Sequence, residues 1–258
     1  MVNLKKKAGI FLNKLRIGKR ILQDDCFIKT NILNQLEIAK RPRRTEIINY
    51  LLELTNADNY LEIGVRDPKK NFVKINCKNK YSVDPGVEFE ENPVDFKMTS
   101  DVFFKQLNNG QLKGIDKSIK FDVIFIDGLH ISSQVEKDIQ NSLKFIKDNG
   151  FIILHDCNPP SEYHQRENYD FKNSPAGPFW NGTTWKAFYK FRHQLDLFSI
   201  CFDSDWGVGV ISKTKTISFN NIEGEIENEY YEFSLLEKNR NQYLNLQQFE
   251  EWKKVAKK

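Results

Sequence analysis

The stretch FDVIFIDGLH, residues 121–130, decides the fold of this chain. Its first six residues are mostly apolar, β-branched or aromatic, a composition typical of a buried strand. The run ends in an acid, Asp127, and turn residues follow it. We therefore predict a core strand whose last residue places a carboxylate at the edge of a sheet.

A helix and a second strand follow this first strand along the chain. The helix is predicted to begin near Ser133, where Glu136 completes a capping box, and to end at the C-cap signal Asn149-Gly150. The strand Phe151–Leu154 comes next. Strand, helix and strand in this rhythm indicate a right-handed parallel crossover within a doubly wound sheet.

Further strands lie on either side of this unit. YLEIG at 60–64 and YSVDPG at 81–86 precede it, and two closing strands are predicted at 199–202 and 207–212. The predicted fold class is α/β. We expect a Rossmann-like, doubly wound, mostly parallel seven-stranded sheet with helices on both faces and extra N-terminal helices.

The sequence pattern also predicts a division into three parts. Apolar residues at helical spacing on both sides of Pro42 indicate helices before the first strand. From about Asn220 onward the sequence is charged. The predicted parts are an N-terminal helical extension (1–57), a Rossmann-like domain (58–215) and a charged C-terminal extension that is mostly helical (216–258).

Composition and charge narrow the class of protein. The net charge of +4 on 258 residues is only mildly basic, so we expect no nucleic-acid partner. No apolar run approaches the roughly 18–20 residues of a membrane-spanning helix, and the N-terminus lacks the features of a secretory signal. The four cysteines form no C-x-x-C pair, which indicates reduced thiols and a cytoplasmic protein.

Charge is distributed unevenly near the N-terminus. The residues before the first acid, Asp24, include apolar side chains at helical spacing and seven basic ones: Lys5, Lys6, Lys7, Lys14, Arg16, Lys19 and Arg20. We expect an accessory helix with one of three roles. It docks on a neighbouring subunit of a homo-oligomer, lies on an anionic membrane surface, or covers the domain's own apolar surface.

Two strand ends carry the features of a nucleoside site. Ligands of an open parallel sheet bind beyond the carboxyl ends of its strands. Gly64 permits close backbone approach, and Asp84 at the end of the next strand can accept hydrogen bonds from ribose hydroxyls. Taken singly, they are a turn glycine and a loop cap; on one βαβ pattern they favour a nucleoside. The missing G-x-G-x-x-G argues against a dinucleotide dehydrogenase.

Two further carboxylates, Asp127 and Asp156, end strands that should be neighbours about 5 Å apart. Carboxylates that converge repel each other unless a cation lies between them, and oxygen ligands suit Mg²⁺. The alternative is a hydrogen-bonded acid pair at a loop junction. We favour the metal site.

Four motifs, YLEIGVRDP, YSVDPG, FDVIFIDGLH and GFIILHDCNPP, together resemble a class I S-adenosylmethionine-dependent methyltransferase. The particular resemblance is to a bacterial branch related to macrolide-sugar (macrocin-type) and catechol O-methyltransferases. It covers roughly Tyr60 to Ile211. One departure is that Arg66-Asp67-Pro68-Lys69 occupies the stretch where a second glycine is usual, so the loop must pass the cofactor differently.

The resemblance implies S-adenosylmethionine as the cofactor and assigns its contacts. Glu62 and Gly64 are expected near the methionine part, while Asp84 is expected to hold the ribose. The residues expected near the adenine are Thr99, Ser100 and Asp101.

The resemblance also implies that Asp127 and Asp156 hold a divalent metal, with His155 or Asn158 as additional ligands. Such a metal would chelate the acceptor hydroxyls. His130 lies three residues past Asp127. It is either the general base that removes the acceptor proton beside Asp127, or a capping or packing residue.

We therefore expect O-methylation of a small polar acceptor, first of all a sugar or nucleotide sugar, beneath an aromatic loop at 163–185. An N-methyltransferase would need the cofactor pocket but not necessarily the metal. A non-catalytic binding module that has kept the fold is the rival from another class. A nucleic-acid methyltransferase finds little support, because Asn158-Pro159-Pro160-Ser161 lacks the aromatic fourth residue of an N-P-P-Y-type motif.

Overall fold

The computed structural model describes residues 4–89, 91–170 and 173–256. Its helices are α1 Leu4–Leu22, α2 Asp25–Ala39, α3 Arg44–Leu54, α4 Ser100–Asn109, α5 Ser132–Phe145, α6 Thr184–Arg192, α7 Phe233–Leu244 and α8 Phe249–Ala256. Its strands are β1 Asn59–Ile63, β2 Asn79–Val83, β3 Phe121–Ile126, β4 Ile146–Leu154, β5 Phe198–Phe202, β6 Val208–Ser212 and β7 Leu246–Gln247.

The seven strands form one sheet in the order β2-β1-β3-β4-β6-β5-β7. Strands β2, β1, β3 and β4 are parallel to one another, and β6 runs antiparallel to both β4 and β5. The chain leaves β1 towards β2 on one side and later returns to β3 on the other. This reversal makes a crevice at the carboxyl ends of β1 and β3, where such sheets bind ligands.

Helices cover both faces of the sheet, as the strand pattern predicted. Ile124 and Ile126 of β3 face a core completed by α4, α5, α6 and α7. Val123 and Phe125 of the same strand face a second core completed by α3 and α8. Alternate residues of a strand point to opposite faces, so one apolar run supplies both cores. The Rossmann-like α/β fold with extra N-terminal helices is confirmed.

The start predicted for α5, near Ser133, is confirmed, but the predicted capping box and the predicted end are wrong. The helix begins at Ser132, and Ile131 precedes it without a side-chain cap. In place of the capping box, Thr183 Oγ1 accepts a hydrogen bond from the Ser132 backbone N–H at 2.8 Å. At the other end, α5 stops at Phe145. Asn149-Gly150 does not end the helix, because both residues lie inside β4.

Gly150 lies inside β4, where it serves strand packing. A Cβ at this position would lie 2.7 Å from the Asp122 carbonyl oxygen of β3. The pairing of β3 with β4 shifts register between Phe121 and Val123, opposite the start of the long β4. Glycine is therefore needed for the close approach of two strands.

The C-terminal part contains helices, as expected, and also a strand. Residues of β7 pair in parallel with Cys201 and Phe202 of β5, so this part extends the sheet. Phe249 and Trp252 of α8 are buried in the second core. The division into three parts at residues 57 and 215 stays a prediction.

The N-terminal part forms three helices, and α1 leaves its apolar side chains in solvent. Phe11 and Leu12 are 62% and 64% exposed, so α1 does not cover the domain's own apolar surface. Asp24 caps α2 by accepting a hydrogen bond from the Cys26 N–H at 2.9 Å. Across the described ranges, no helix combines the length and apolar character required to cross a bilayer.

Candidate active site

A cavity of about 740 Å³ opens at the carboxyl ends of β1, β2, β3 and β4. It occupies the crevice that the strand order creates between β1 and β3. The sequence-predicted residues that line it are Gly64, Asp84, Thr99, Ser100, Asp101, Asp127, His130, His155 and Asp156. The strand ends of the predicted motifs therefore meet at one cavity.

Gly64 is required where β1 leaves the sheet. Its φ of +85° lies in the region that L side chains rarely adopt. A Cβ there would overlap the Asp127 carbonyl oxygen and the Gly128 Cα. The loops after β1 and β3 thus pass in direct contact, which keeps the cavity floor made of backbone.

Arg66 explains how the loop turns without a second glycine. It adopts a φ of +48°, a conformation usually left to glycine or asparagine. Its N–H donates to Asp84 Oδ2 at 2.9 Å. Asp84 Oδ1 accepts from the Gly86 N–H and from the Asn92 side chain, both at 2.6 Å. The acid therefore fixes the loops after β1 and β2 and still lines the cavity.

Glu62, unlike its neighbour Gly64, is not among the residues that line the cavity. Its Oε2 accepts hydrogen bonds from the Tyr60 hydroxyl at 2.7 Å and the Asn71 amide at 2.9 Å. Burial raises the pKa of this carboxyl to about 7. Residues two apart in a strand share a face, so Glu62 follows Tyr60 into the packed side of the sheet and not into the open edge.

The expected adenine end is built at the start of α4 and gains two residues from α5. Thr99 caps α4 by accepting from the Val102 N–H at 3.4 Å. Gln134 donates to Ser100 Oγ at 3.3 Å and Asp101 Oδ1 at 3.1 Å. It also donates to Asp138 Oδ1 at 3.2 Å. Burial raises the pKa of the Asp138 carboxyl to about 6.

Sequence reasoning missed Gln134 and Asp138, which both line the cavity. The available signal was their spacing of four on α5, which puts them on one helix face. Asp138 also interrupts the apolar side of that helix next to Ile139, and only 1% of it is exposed. A buried acid among apolar residues marks a place where a ligand or partner is met.

Two acids and a histidine converge at the other end of the cavity. His130 Nε2 lies 3.3 Å from Asp127 Oδ1, and its Nδ1 lies 3.2 Å from Asp156 Oδ2. One ligand atom from each of the three residues lies within 4.8 Å of the others. Neighbouring strands β3 and β4 bring the acids together, as predicted. The two carboxylates fit a divalent metal ion such as Mg²⁺, and the imidazole of His130 lies beside them.

His155 closes the same cluster from the protein side. Its Nδ1 lies 3.1 Å from Asp127 Oδ1 and 2.9 Å from Asp156 Oδ2. Burial opposes protonation of His130, but Asp156 and Asp127 raise its pKa to about 9. The same acids raise the pKa of His155 well above its usual value. Burial opposes ionisation of Asp127, yet His155 and Arg44 hold its pKa well below the usual value.

Arg44 is a cavity residue that comes from the N-terminal extension. Its Nε lies 3.6 Å from Asp127 Oδ2, and its Nη1 lies 3.1 Å from Asp205 Oδ2. The backbone N–H of Arg44 also donates to Asp205 at 2.9 Å. No local sequence pattern predicts this contact, because Arg44 and Asp205 are 161 positions apart.

Asn158 does not join the cluster, which corrects the expectation that it could be a further ligand. Its amide donates to Asp203 Oδ1 at 3.0 Å, and its Oδ1 accepts from Arg240. These contacts hold it on the far side of the loop after β4, and it does not line the cavity. His155 is the flanking residue that does line it.

The loop after β4 covers the cluster with aromatic residues. Trp180 stacks on His130 with ring centroids 5.1 Å apart, and Tyr169 also lines the cavity. Gly182, with a φ of +58°, packs against the His130 backbone so closely that a Cβ would overlap it. Thr183 N–H then donates to His130 O at 2.7 Å. Two residues of the expected lid, 171 and 172, lie outside the described residues.

A comparison with known protein families matches the central part of the chain. Residues 72–157 match a family model described as a methyltransferase domain. The match starts after the Gly64 turn and ends one residue past Asp156. A search of curated proteins gives no match.

Several solved structures are similar to this chain. One is the O-methyltransferase from Bacillus cereus in complex with SAH, with 16% identity over 73% of this chain and 89% of that one, and a TM-score of 0.43. PaMTH1, an SAH-bound methyltransferase of Podospora anserina, has 13% identity over 83% and 98%, and a TM-score of 0.44. TomG of Streptomyces achromogenes, an O-methyltransferase involved in tomaymycin synthesis, was solved with SAM and has 12% identity over 74% and 91%, and a TM-score of 0.42.

The sheet order and the cavity at its switch point define an α/β protein with a candidate ligand site at the carboxyl ends of its strands. The matched methyltransferase domain carries the assignment further. Residues 72–157 therefore form a methyltransferase domain, in agreement with the S-adenosylmethionine-dependent methyltransferases that the four motifs resemble.

Proposed function

We propose that this enzyme methylates a hydroxyl of a small polar acceptor, first of all a sugar or nucleotide sugar, with the help of a divalent metal such as Mg²⁺. The observation that carries the proposal is the convergence of Asp127, Asp156 and His130 within 4.8 Å at one end of the cavity. Two carboxylates at that distance favour a cation, and hard oxygen ligands favour Mg²⁺.

The other end of the cavity is proposed to hold S-adenosylmethionine. Gly64 lets the methionine part approach the backbone after β1, and Asp84 accepts hydrogen bonds from the ribose hydroxyls. Thr99, Ser100 and Asp101 are proposed to surround the adenine together with Gln134 and Asp138, and all five residues line the cavity. The cofactor's methyl group then lies between this end and the acid cluster.

The chain's own residues perform three tasks in the reaction. Asp127 and Asp156 would hold the metal, which when bound lowers the pKa of the acceptor hydroxyl and fixes its orientation. His130 in its neutral form accepts the hydroxyl proton as the oxygen attacks the methyl carbon, and a cation beside Asp127 and Asp156 would favour that form by lowering its pKa from about 9. S-adenosylmethionine, when bound, would supply the methyl group, and S-adenosylhomocysteine would leave with the electron pair of the broken carbon–sulfur bond. The protein's main contribution is alignment, because the sulfonium is already activated.

The proposed acceptor site lies beneath Trp180 and Tyr169. The flat faces of aromatic rings suit the apolar faces of sugar rings, and the acids beneath them suit vicinal hydroxyls. Trp180 also holds His130 by stacking and by a 3.3 Å contact from its carbonyl oxygen to His130 Nδ1. The wall that would receive the acceptor therefore also orients the proposed base.

The test is methyl transfer to a panel of nucleotide sugars and small hydroxylated metabolites, with and without excess chelator. We expect activity to fall on chelation and return with Mg²⁺, while calorimetry shows S-adenosylmethionine binding largely unchanged. His130→Ala should lower turnover by about 10²–10⁴-fold with the metal still bound. His193→Ala, at the C-cap of α6 and outside the cavity wall, should leave turnover unchanged.

Full activity in excess chelator would remove the metal from the proposal. Asp127 would then become a cofactor contact and His130 the candidate for proton removal on its own. Transfer to amines but not hydroxyls, independent of metal, would support N-methylation. Failure to bind S-adenosylmethionine would support a binding module that has kept only the fold.

A further inference from the structure

Helix α1 exposes an extended apolar surface. Its large apolar residues are each between 44% and 69% exposed: Ile10, Phe11, Leu12, Leu15, Ile17, Ile21 and Leu22. Contiguous exposed apolar surface of this kind marks an interaction site. An isolated helix of this length also gains little stability in water without packing.

The residues of α1 are arranged on distinct sides of the helix. At 3.6 residues per turn, six of the seven apolar residues form two stripes about 120° apart: Phe11, Leu15 and Leu22 in one, Ile10, Ile17 and Ile21 in the other. Leu12 lies outside both stripes, beside Lys19. The remaining side holds Asn13, Arg16 and Arg20. Lys14 lies between the stripes, where its long stem can lie along apolar surface while the ammonium reaches outward.

Helix α2 is attached to the rest of the protein by its polar side. Its buried residues are Thr30, Asn34 and Glu37, while Ile28, Ile32 and Leu36 on the opposite side are 46%, 54% and 59% exposed. Asn34 Oδ1 contacts His164 Nε2 at 2.7 Å, and Glu37 Oε1 accepts from the Trp206 N–H at 2.7 Å. The usual arrangement of an amphipathic helix is therefore reversed, and α2 exposes an apolar stripe of its own in addition to the two on α1.

Charge selects the occupant of this surface. Residues 1–23 contain no acid, and the basic side chains described there are all exposed: Lys7, Lys14, Arg16, Lys19 and Arg20. A second copy of α1 would meet these cations with its own. Anionic lipid headgroups complement them, and each Lys or Arg near such a surface strengthens binding. Apolar residues beside cations suit a helix lying in the plane of the interface.

We propose that the N-terminal surface, the exposed apolar residues of α1 and α2 with the basic residues of α1, binds an anionic membrane. This inference stands apart from the proposed reaction, because none of these residues lines the cavity. It places the enzyme where a hydroxylated acceptor attached to a lipid, or made at a membrane, would be within reach.

The experiment is sedimentation of the full chain with mixed phosphatidylcholine–phosphatidylglycerol vesicles and with pure phosphatidylcholine vesicles. We expect pelleting with the anionic vesicles only. The double variants Phe11→Glu/Leu15→Glu and Lys14→Glu/Lys19→Glu should each weaken binding about tenfold or more. Matched controls are Leu195→Glu/Tyr230→Glu, which alters exposed apolar residues elsewhere, and Lys105→Glu/Lys113→Glu, which reverses charge elsewhere.

Thermal melting and S-adenosylmethionine binding check that every variant is folded. No pelleting, equal pelleting with both vesicle types, or equal loss in variants and controls overturns the proposal. Light scattering is measured in parallel. A dimer that dissociates in the α1 variants, without vesicle binding by the unaltered protein, also overturns it and assigns the surface to a second copy.

Discussion

The carboxylate of Asp84 accepts three hydrogen bonds from the loops after β1 and β2 while it lines the cavity. Asp84→Ala should weaken S-adenosylmethionine binding by about 1–3 kcal/mol, because ribose hydrogen bonds are lost and Arg66 is no longer held. Isothermal calorimetry measures the change, and Asp116→Ala, at an exposed site outside the cavity wall, is the control. Unchanged affinity in Asp84→Ala would remove Asp84 from the site.

Arg44 ties the N-terminal extension to the acid cluster through Asp127. Arg44→Met keeps the length of the side chain but leaves Asp205 and Asp127 with fewer counter-charges. We expect a loss of about 1–3 kcal/mol in the free energy of unfolding, measured with urea. Arg66→Met removes an exposed ion pair with Glu88 and should cost at most about 1 kcal/mol. Equal losses in the two variants would mean that the Arg44 contacts add no stability.

At the scale of elements, His164 joins α2 to the loop over the cavity. The side chain is fully buried between Asn34 and Ser161. Burial, with Arg166 nearby, lowers its pKa to about 4. The unfolded chain, with an ordinary pKa near 6.5, therefore takes up a proton that the folded chain resists. The stability that neutral His164 contributes is present above about pH 6.5 and is lost as the pH falls towards 4.

The prediction is that the free energy of unfolding drops between about pH 6.5 and pH 4, with up to about 3 kcal/mol of the drop due to His164. His164→Gln cannot take up the proton and should flatten the pH dependence over that interval. Urea unfolding at a series of pH values measures both proteins. The same slope in the variant and the unaltered protein would exclude this role for His164.

At the scale of the whole molecule, local pattern was enough for the sheet and for its terminal acids. Asp84, Asp127 and Asp156 each follow a short apolar run, so their place at one sheet edge could be read from the sequence. The cap of α5 and its last residue could not be predicted in this way. Thr183, distant in the chain, caps the helix, and Gly150 lies against Asp122 in the sheet instead of ending the helix. Motif spacing likewise cannot tell which face of β1 receives a side chain, and Glu62 lies on the packed one.

Contacts between distant parts of the chain were also beyond sequence reasoning. Arg44 and Asp205 meet only because α3 and the β5–β6 turn fold against the same sheet edge. The sequence predicted a basic amphipathic N-terminus but left its partner open. The structure adds that α1 and α2 keep their apolar residues in solvent.

The central claim is that Asp127 and Asp156 form one metal site at the end of the cavity. Electron paramagnetic resonance with Mn²⁺, a stand-in for Mg²⁺, counts bound metal directly and needs no acceptor. We expect the unaltered protein and Asp101→Asn, a change at the adenine end, to bind one Mn²⁺ each. Asp127→Asn and Asp156→Asn should each lower the affinity about tenfold or more. Equal Mn²⁺ binding by all four proteins, or none by the unaltered protein, would contradict the account.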